Sequence, residues 1–108
     1  MIRHTAMAVL LLLSEPSAVH AQGAGSPRAG HQVAREICAS CHAVEPGQYH
    51  SPRQQAPSFE RIARVPGMTT TALTVALRTS HKTMPNIILE PKELRDVTTY
   101  ITSLRERR

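Results

Sequence analysis

Apolar positions divide the chain into one uniform run near its start and four later stretches with helical spacing. The run covers residues 6–13, whereas each later stretch repeats apolar residues at three- and four-residue steps, as a helix with one buried face does. Val33 and Ile37 mark the buried face of the first stretch. No stretch alternates as a half-exposed strand does, so the pattern predicts an all-α fold of about four helices. The stretches lie within residues 27–38, 59–63, 70–77 and 91–104.

Each stretch is preceded by a residue type that favours a helix start. Serine and threonine side chains accept hydrogen bonds from the first backbone N–H groups of a helix, and proline suits the first helical position. The candidates are Ser26 with Pro27, then Ser58, then one of Thr69–Thr71, and finally Pro91.

Two segments lack helical spacing and are predicted to be irregular. Residues 45–57 hold three prolines and Gly47, and residues 81–89 form the second irregular segment. A loop as long as the first is usually functional, or wraps around something, when it occurs in a compact domain.

The first residues predict a secretory signal peptide. Arg3 and His4 form a basic lead, the apolar run follows, and the small residues of Val19-His20-Ala21 offer a cleavage signal before Gln22. The alternative of a retained membrane anchor is weak, because a span needs about 20 apolar residues. We therefore expect export to the periplasm and no membrane span after cleavage. The predicted organisation is a cleaved signal peptide over residues 1–21, a flexible leader over 22–27 and one domain over 28–108.

Composition leaves this domain short of large apolar side chains. The whole chain has 108 residues, no tryptophan and a single phenylalanine, Phe59. Small domains bury a smaller share of their surface than large ones, so their cores are marginal. A disulfide between Cys38 and Cys41, the chain's only cysteines, closes too short a loop to stabilise the fold much. A buried cofactor would fill the core better.

The segment Cys38-Ala-Ser-Cys41-His42 suits three chemistries: a dithiol redox pair, a metal site, or covalent haem with the histidine as axial ligand. A thioredoxin-like pair belongs near a strand-helix-strand pattern, which this sequence lacks. Zinc fits only partly, because adjacent residues rarely converge on one tetrahedral centre. Haem fits best, since one helical turn brings both sulfurs to the same porphyrin edge and His42 to the iron.

Over residues 30–104 the chain resembles the small monohaem c-type cytochromes of bacteria, which are similar in architecture to mitochondrial cytochrome c. The resemblance rests on the Cys38–His42 segment and on Gly30, eight residues before Cys38. It implies that the first and last helices cross, with Gly30 against Tyr100, and that the helices wrap around one covalently bound haem c.

The resemblance also implies further site residues. The sixth iron ligand would be Met84 in "HKTMPN", with Met68 and His81 as rivals. The carbonyl of Pro57 in "APSF" would accept a hydrogen bond from the His42 ring, since metal-bound imidazoles usually donate their second N–H. The tryptophan that better-known members place near a haem propionate is absent. Tyr49, Arg53 and Arg64 are alternatives for that role.

This ligand set predicts an electron-transfer protein rather than an enzyme. It would pass single electrons between periplasmic redox partners, as a monomer or as the haem subunit of a dehydrogenase. The alternative is a gas-binding haem sensor or detoxification protein with a displaceable sixth ligand. The net charge of +5, with Arg78, Lys82 and Lys92 around Met84, favours partners with an acidic contact surface. Few aromatics and no long basic run argue against nucleic acid.

Overall fold

The computed structural model describes residues 24–79 and 83–107 of the chain. Within these ranges the regular structure is helical and contains no strand, which confirms the all-α prediction. The helices are α1 (Pro27–Val33), α2 (Phe59–Ala63), α3 (Thr70–Arg78) and α4 (Pro91–Ser103); a π-helical turn, Ala34–Cys38, continues α1, and a 3-10 turn, Leu104–Glu106, continues α4.

The helices begin at the predicted residues because side chains there cap backbone N–H groups. The hydroxyl oxygens of Ser26, Ser58 and Thr69 each accept a hydrogen bond from the backbone N–H three residues further on. The start of α4 uses a different acceptor, since the Glu90 backbone N–H donates to the Glu93 carboxylate over 2.9 Å.

Helix α1 crosses α4 at very short range, as the resemblance implied. A Cβ atom added at Gly30 would overlap the Asp96 carbonyl oxygen and come within 2.8 Å of the Tyr100 Cβ. A side chain at Gly25 would overlap the Arg95 carbonyl oxygen in the same way. Glycine is therefore required at both positions on steric grounds, and the predicted crossing against Tyr100 is confirmed.

The residues just before α1 pack on α4. The Gly25 backbone N–H donates to Thr99 Oγ1 over 3.1 Å, and the Ser26 N–H donates to Asp96 Oδ1 over 2.8 Å. Ordered contacts thus begin before residue 28, inside the segment predicted as a flexible leader. The predicted signal peptide lies outside the described residues. Among the described helices, none has the length and apolar character that crossing a membrane requires.

The buried face of α1 differs from the one that the apolar pattern marked. Gly30, Ala34 and Cys38 are the buried positions, whereas Val33 and Ile37 are only half-buried and flank the core. Small side chains face α4 because a close helix crossing leaves no space for larger ones. The core formed around this crossing comprises Ala34, Cys38, Val44, Phe59, Ala63, Leu73, Val97, Tyr100, Ile101 and Leu104.

Candidate haem site

A π-helical turn carries α1 into the cysteine-histidine segment. The Ala39 backbone N–H donates to the Ala34 carbonyl five residues back, over 2.9 Å. The chain then tightens, because the N–H groups of Cys41 and His42 both donate to the Cys38 carbonyl, over 3.2 and 3.0 Å. Both thiols and the imidazole are consequently held within a single compact turn. The spacing of apolar residues in the sequence did not indicate this π-helical turn.

The two thiols have different surroundings. Cys38 is buried in the core, Cys41 is half-buried at its edge, and neither is in a disulfide. Burial raises the pKa of the Cys38 thiol to about 11, with a smaller contribution from neighbouring Cys41. Cys38 therefore faces the apolar interior as a neutral thiol, whereas the Cys41 side chain is partly exposed to solvent.

The His42 ring is oriented by a backbone carbonyl. Its Nδ1 lies 2.7 Å from the Pro57 carbonyl oxygen. Because a carbonyl only accepts, Nδ1 carries the proton, and Nε2 keeps its lone pair for a metal. The Phe59 ring packs beside the imidazole with its centroid 5.5 Å away. This is the contact that the resemblance implied for Pro57.

Hydrogen bonds fasten the long loop before α2 to the cysteine-histidine segment. The Arg53 N–H donates to the Cys41 carbonyl over 3.1 Å, and the Ala43 N–H donates to Ser51 Oγ over 2.9 Å. Further along, the Gly47 N–H donates to Glu60 Oε1 over 3.0 Å. The loop thus has a fixed path toward Pro57. Sequence reasoning missed Ser51 and Glu60, because an irregular loop gives no periodic signal for partners 8 and 13 residues away.

A second set of contacts fastens the residues that follow His42. The Tyr100 hydroxyl donates to the Val44 carbonyl over 2.5 Å, and burial raises the pKa of Tyr100 to about 12. The Glu45 carboxylate meets His31 Nε2 at 2.7 Å and Arg35 Nε at 2.8 Å. The hydrogen bond from Arg35 holds the pKa of Glu45 below its usual range, against the opposing effect of its partial burial. These contacts tie the segment to both α1 and α4.

His42 and Met84 face the same space. A cavity of about 620 Å³ and a smaller apolar cavity of about 90 Å³ are both lined by these two residues. The larger also takes in Cys41, Arg53 and Pro57, and the smaller takes in Cys38 and core side chains of α2, α3 and α4. The larger volume falls within the range of about 300–1,000 Å³ found for ligand sites. An imidazole nitrogen and a thioether sulfur beside two thiols fit a covalently bound haem.

The other candidates take different places. Met68 is half-buried and packs against the core, and His81 lies outside the described residues. Among the three candidates for the propionates, Arg53 alone lines the larger cavity, while Tyr49 and Arg64 line a separate surface depression. Of the three, Arg53 therefore lies beside the candidate haem site.

Comparison with known proteins then decides the family. The chain is 37% identical over 97 residues to cytochrome c-552 of Bradyrhizobium diazoefficiens, a match that covers 90% of this chain and 89% of the relative. The chain belongs to the small c-type cytochromes of bacteria. No family model matches the sequence, and no solved structure matches it. Membership confirms the resemblance, the haem c cofactor and the assignment as an electron-transfer protein.

The basic residues expected around Met84 in this c-type cytochrome differ in their surroundings. Arg78 is exposed at the end of α3. Lys92 is engaged, because its Nζ lies 2.5 Å from Asp96 Oδ2. Lys82 lies outside the described residues. Lys92 is therefore partly neutralised, and Arg78 is the stronger of the two described candidates for steering a partner.

Proposed function

We propose that this c-type cytochrome is a periplasmic one-electron carrier. Cys38 and Cys41 would hold the haem through thioethers, with His42 and Met84 as the axial ligands of its iron. The observation that carries the proposal is that His42 and Met84 line the same two cavities beside the cysteine pair. The match to a cytochrome c-552 over most of both chains supports it.

The proposed ligand set explains why the protein would carry electrons and not bind substrate. Bound haem supplies reversible gain and loss of one electron. His42 and Met84 would hold the iron from both faces and leave no position open to substrate, and the soft Met84 sulfur would favour the ferrous state and so raise the reduction potential. The Pro57 carbonyl keeps the His42 ring in one orientation through its 2.7 Å contact with Nδ1.

The surface beside Met84 supports exchange with an acidic redox partner. Arg78, at the end of α3, and Ile88, four residues after Met84, line a surface depression, and Ile88 is 94% exposed. Apolar contact combined with nearby positive charge suits brief docking of a protein with an acidic rim. The partner would be a separate redox protein or the dehydrogenase of which this chain is the haem subunit.

A visible spectrum of the holoprotein tests the ligand set. We expect a sharp reduced α-band together with a weak sulfur-to-iron band near the red edge, and no reaction with carbon monoxide at neutral pH. A high-spin ferrous spectrum that changes fully with carbon monoxide would contradict the carrier. It would favour the alternative, a gas-binding sensor or detoxification protein.

Export and partner charge have their own tests. The mature amino terminus should be Gln22, which sequencing of the periplasmic protein checks.

The rate of reduction by an acidic partner should fall as salt rises, because the screening length shortens to about 10 Å at 0.1 M. A rate that stays flat between low and moderate ionic strength would leave Arg78 and Lys82 without a steering role.

A further inference from the structure

We propose that a second surface, the α2 depression lined by Tyr49, Arg61, Arg64 and Val65, docks an acidic protein segment that carries an apolar side chain. This surface shares no lining residue with the cavity of His42 and Met84. The inference goes beyond the proposed function, because it does not depend on which residues bind the iron.

The α2 depression is an open surface of about 520 Å³ between the loop that carries Tyr49 and the end of α2. Tyr49 is 61% exposed and Val65 is 46% exposed, so two apolar surfaces stand in solvent on either side of the arginines. Tyrosine and arginine are the residue types enriched at the energetic centres of protein interfaces.

The charge of the depression is positive and is not balanced at the surface. No ion pair among the described residues involves Arg61. Arg64 lies 3.1 Å from Glu60 Oε2, but that carboxylate is only 3% exposed and its other oxygen accepts from Gly47. Glu60 therefore meets Arg64 from beneath the surface, whereas the exposed Arg61 guanidinium has no ion pair among the described residues.

Arg64 is held in place before any partner arrives. Besides its contact with Glu60, its guanidinium donates to the Arg107 carbonyl over 3.3 Å, which links α2 to the C-terminal segment. These contacts engage Nη2, so Arg64 contributes fixed positive charge to the depression, whereas Arg61 has no ion pair among the described residues and is the arginine available to a carboxylate. This arrangement selects carboxylates, so we assign the occupant as an acidic protein segment.

Two arginines line this depression, whereas recognition of anionic lipid typically uses clusters of about four to eight basic residues, so a protein segment is favoured over a lipid surface. A neighbouring hollow of about 220 Å³ continues from Tyr49 along the loop and ends at Ala56 and Pro57, which also line the cavity of His42 and Met84. Met84 does not line this hollow, so a segment bound there would leave Met84 uncovered. The protein would then hold one partner at the α2 depression while it exchanges electrons with another partner at the surface beside Met84.

The experiment is an NMR titration of the ¹⁵N-labelled holoprotein with the peptide acetyl-Glu-Glu-Phe-Glu-Glu-amide. We expect shift changes centred on Tyr49, Arg61 and Val65. Arg61→Glu should weaken binding about fivefold, as expected when an exposed ion pair is replaced by repulsion. The matched control is Arg28→Glu, which makes the same charge change at an exposed position of α1 and should leave binding within twofold of the parent. An unchanged visible spectrum verifies that both variants are folded.

Four outcomes would overturn the proposal. Equal weakening by Arg61→Glu and Arg28→Glu would mean that only net charge matters. Chemical-shift changes centred on residues 83–89 would place the peptide at the surface beside Met84 instead of at the α2 depression. Undiminished binding of a peptide with alanine in place of phenylalanine would show that the apolar side chain does not contribute to binding. Binding of anionic phosphatidylglycerol vesicles without binding of the peptide would assign the surface to a membrane. A wrong axial ligand would instead appear in the spectrum of the unmutated protein.

Discussion

The two sides of the proposed haem site are built differently. On the histidine side, the segment around residues 38–59 is fastened by hydrogen bonds from Cys41, His42, Ala43 and Arg53, and by the contact of His42 with Pro57. On the methionine side, residues 83–89 are irregular, and Met84 is only half-buried. The Ile88 side chain in this segment is almost fully exposed.

This difference indicates how the site works. The histidine side positions its ligand through hydrogen bonds between residues of the chain. The described part of the methionine side includes a few partly buried side chains, the stiff backbone at Pro85 and, in our proposal, the bond from Met84 to iron. We therefore expect haem attachment and His42 to be insensitive to changes at Met84, whereas the state of Met84 should depend on bound haem.

The largest effect should follow from removing both points of attachment. Cys38→Ala with Cys41→Ala should leave little folded protein, because the small core loses the haem that fills it. Circular dichroism and the intact mass of the purified chain measure the outcome. Ser40→Ala is the control between the two cysteines, and it should retain the mass of one haem. Recovery of a well-folded double variant with native helix content would show that the histidine side needs no cofactor at all.

Loss of the methionine ligand should change the site without dismantling it. Met84→Ala should keep the haem attached, lower the reduction potential and open a position for carbon monoxide or imidazole, because the sulfur that favours ferrous iron is gone. Visible spectra and potentiometry measure this.

Met68→Ala is the matched control for that variant. It should leave the spectrum unchanged and cost less than the roughly 2–5 kcal/mol of a fully buried site. An unaltered spectrum in Met84→Ala would make His81 the next ligand candidate.

The helix crossing behind the histidine side offers a purely steric test. In Gly30→Ala the new methyl group overlaps the Asp96 carbonyl oxygen, so the helices must separate. Overpacking of this kind costs about 1–3 kcal/mol of the free energy of unfolding, occasionally more. Urea denaturation measures it, with Arg28→Ala on the exposed face of α1 as a control expected to stay within about 0.5 kcal/mol. Stability equal to that of the parent would mean that the crossing is more pliable than its geometry indicates.

The smallest effect is expected for Asp96, whose carboxylate joins Ser26, just before α1, to α4. Burial alone would raise the pKa of Asp96, but hydrogen bonds from Lys92 and the Ser26 N–H outweigh it, so the pKa lies below its usual value. A depressed carboxyl pKa stabilises the fold above the unfolded pKa, and this contribution is lost as pH falls through the folded pKa.

Asp96→Asn should therefore cost up to about 1 kcal/mol at neutral pH, since the Lys92 partner is exposed, and less in acid. Denaturation midpoints at pH 7 and pH 3 measure the difference between the two proteins. A difference that does not shrink in acid would assign the effect of Asp96 to packing.

Much of the site could be predicted because its signals are local. The helix starts at Ser26, Ser58 and Pro91 depend on hydrogen bonds and backbone preferences within a few residues. The Cys38–His42 segment is equally local, since one turn of chain determines the spacing of its three side chains.

Other features could not be predicted, because each requires two distant segments to meet. Arg53 lines the cavity of His42 and Met84, and Tyr49 does not, because of the path of a loop with no periodic pattern. The hydrogen bond from the Ser26 N–H to Asp96 Oδ1 joins residues 70 positions apart, so no local pattern indicates it.

The sequence by itself determined the helical class, the helix starts and the chemistry of the cysteine-histidine segment, since short-range sterics and hydrogen bonding govern all three. Only the tertiary structure decided that small residues form the buried face of α1, that the Pro57 carbonyl meets the His42 ring and that Met84 faces the same cavity. Those contacts join residues that are far apart along the chain. They exist only when the α1–α4 crossing and the long loop have taken their places in the folded domain.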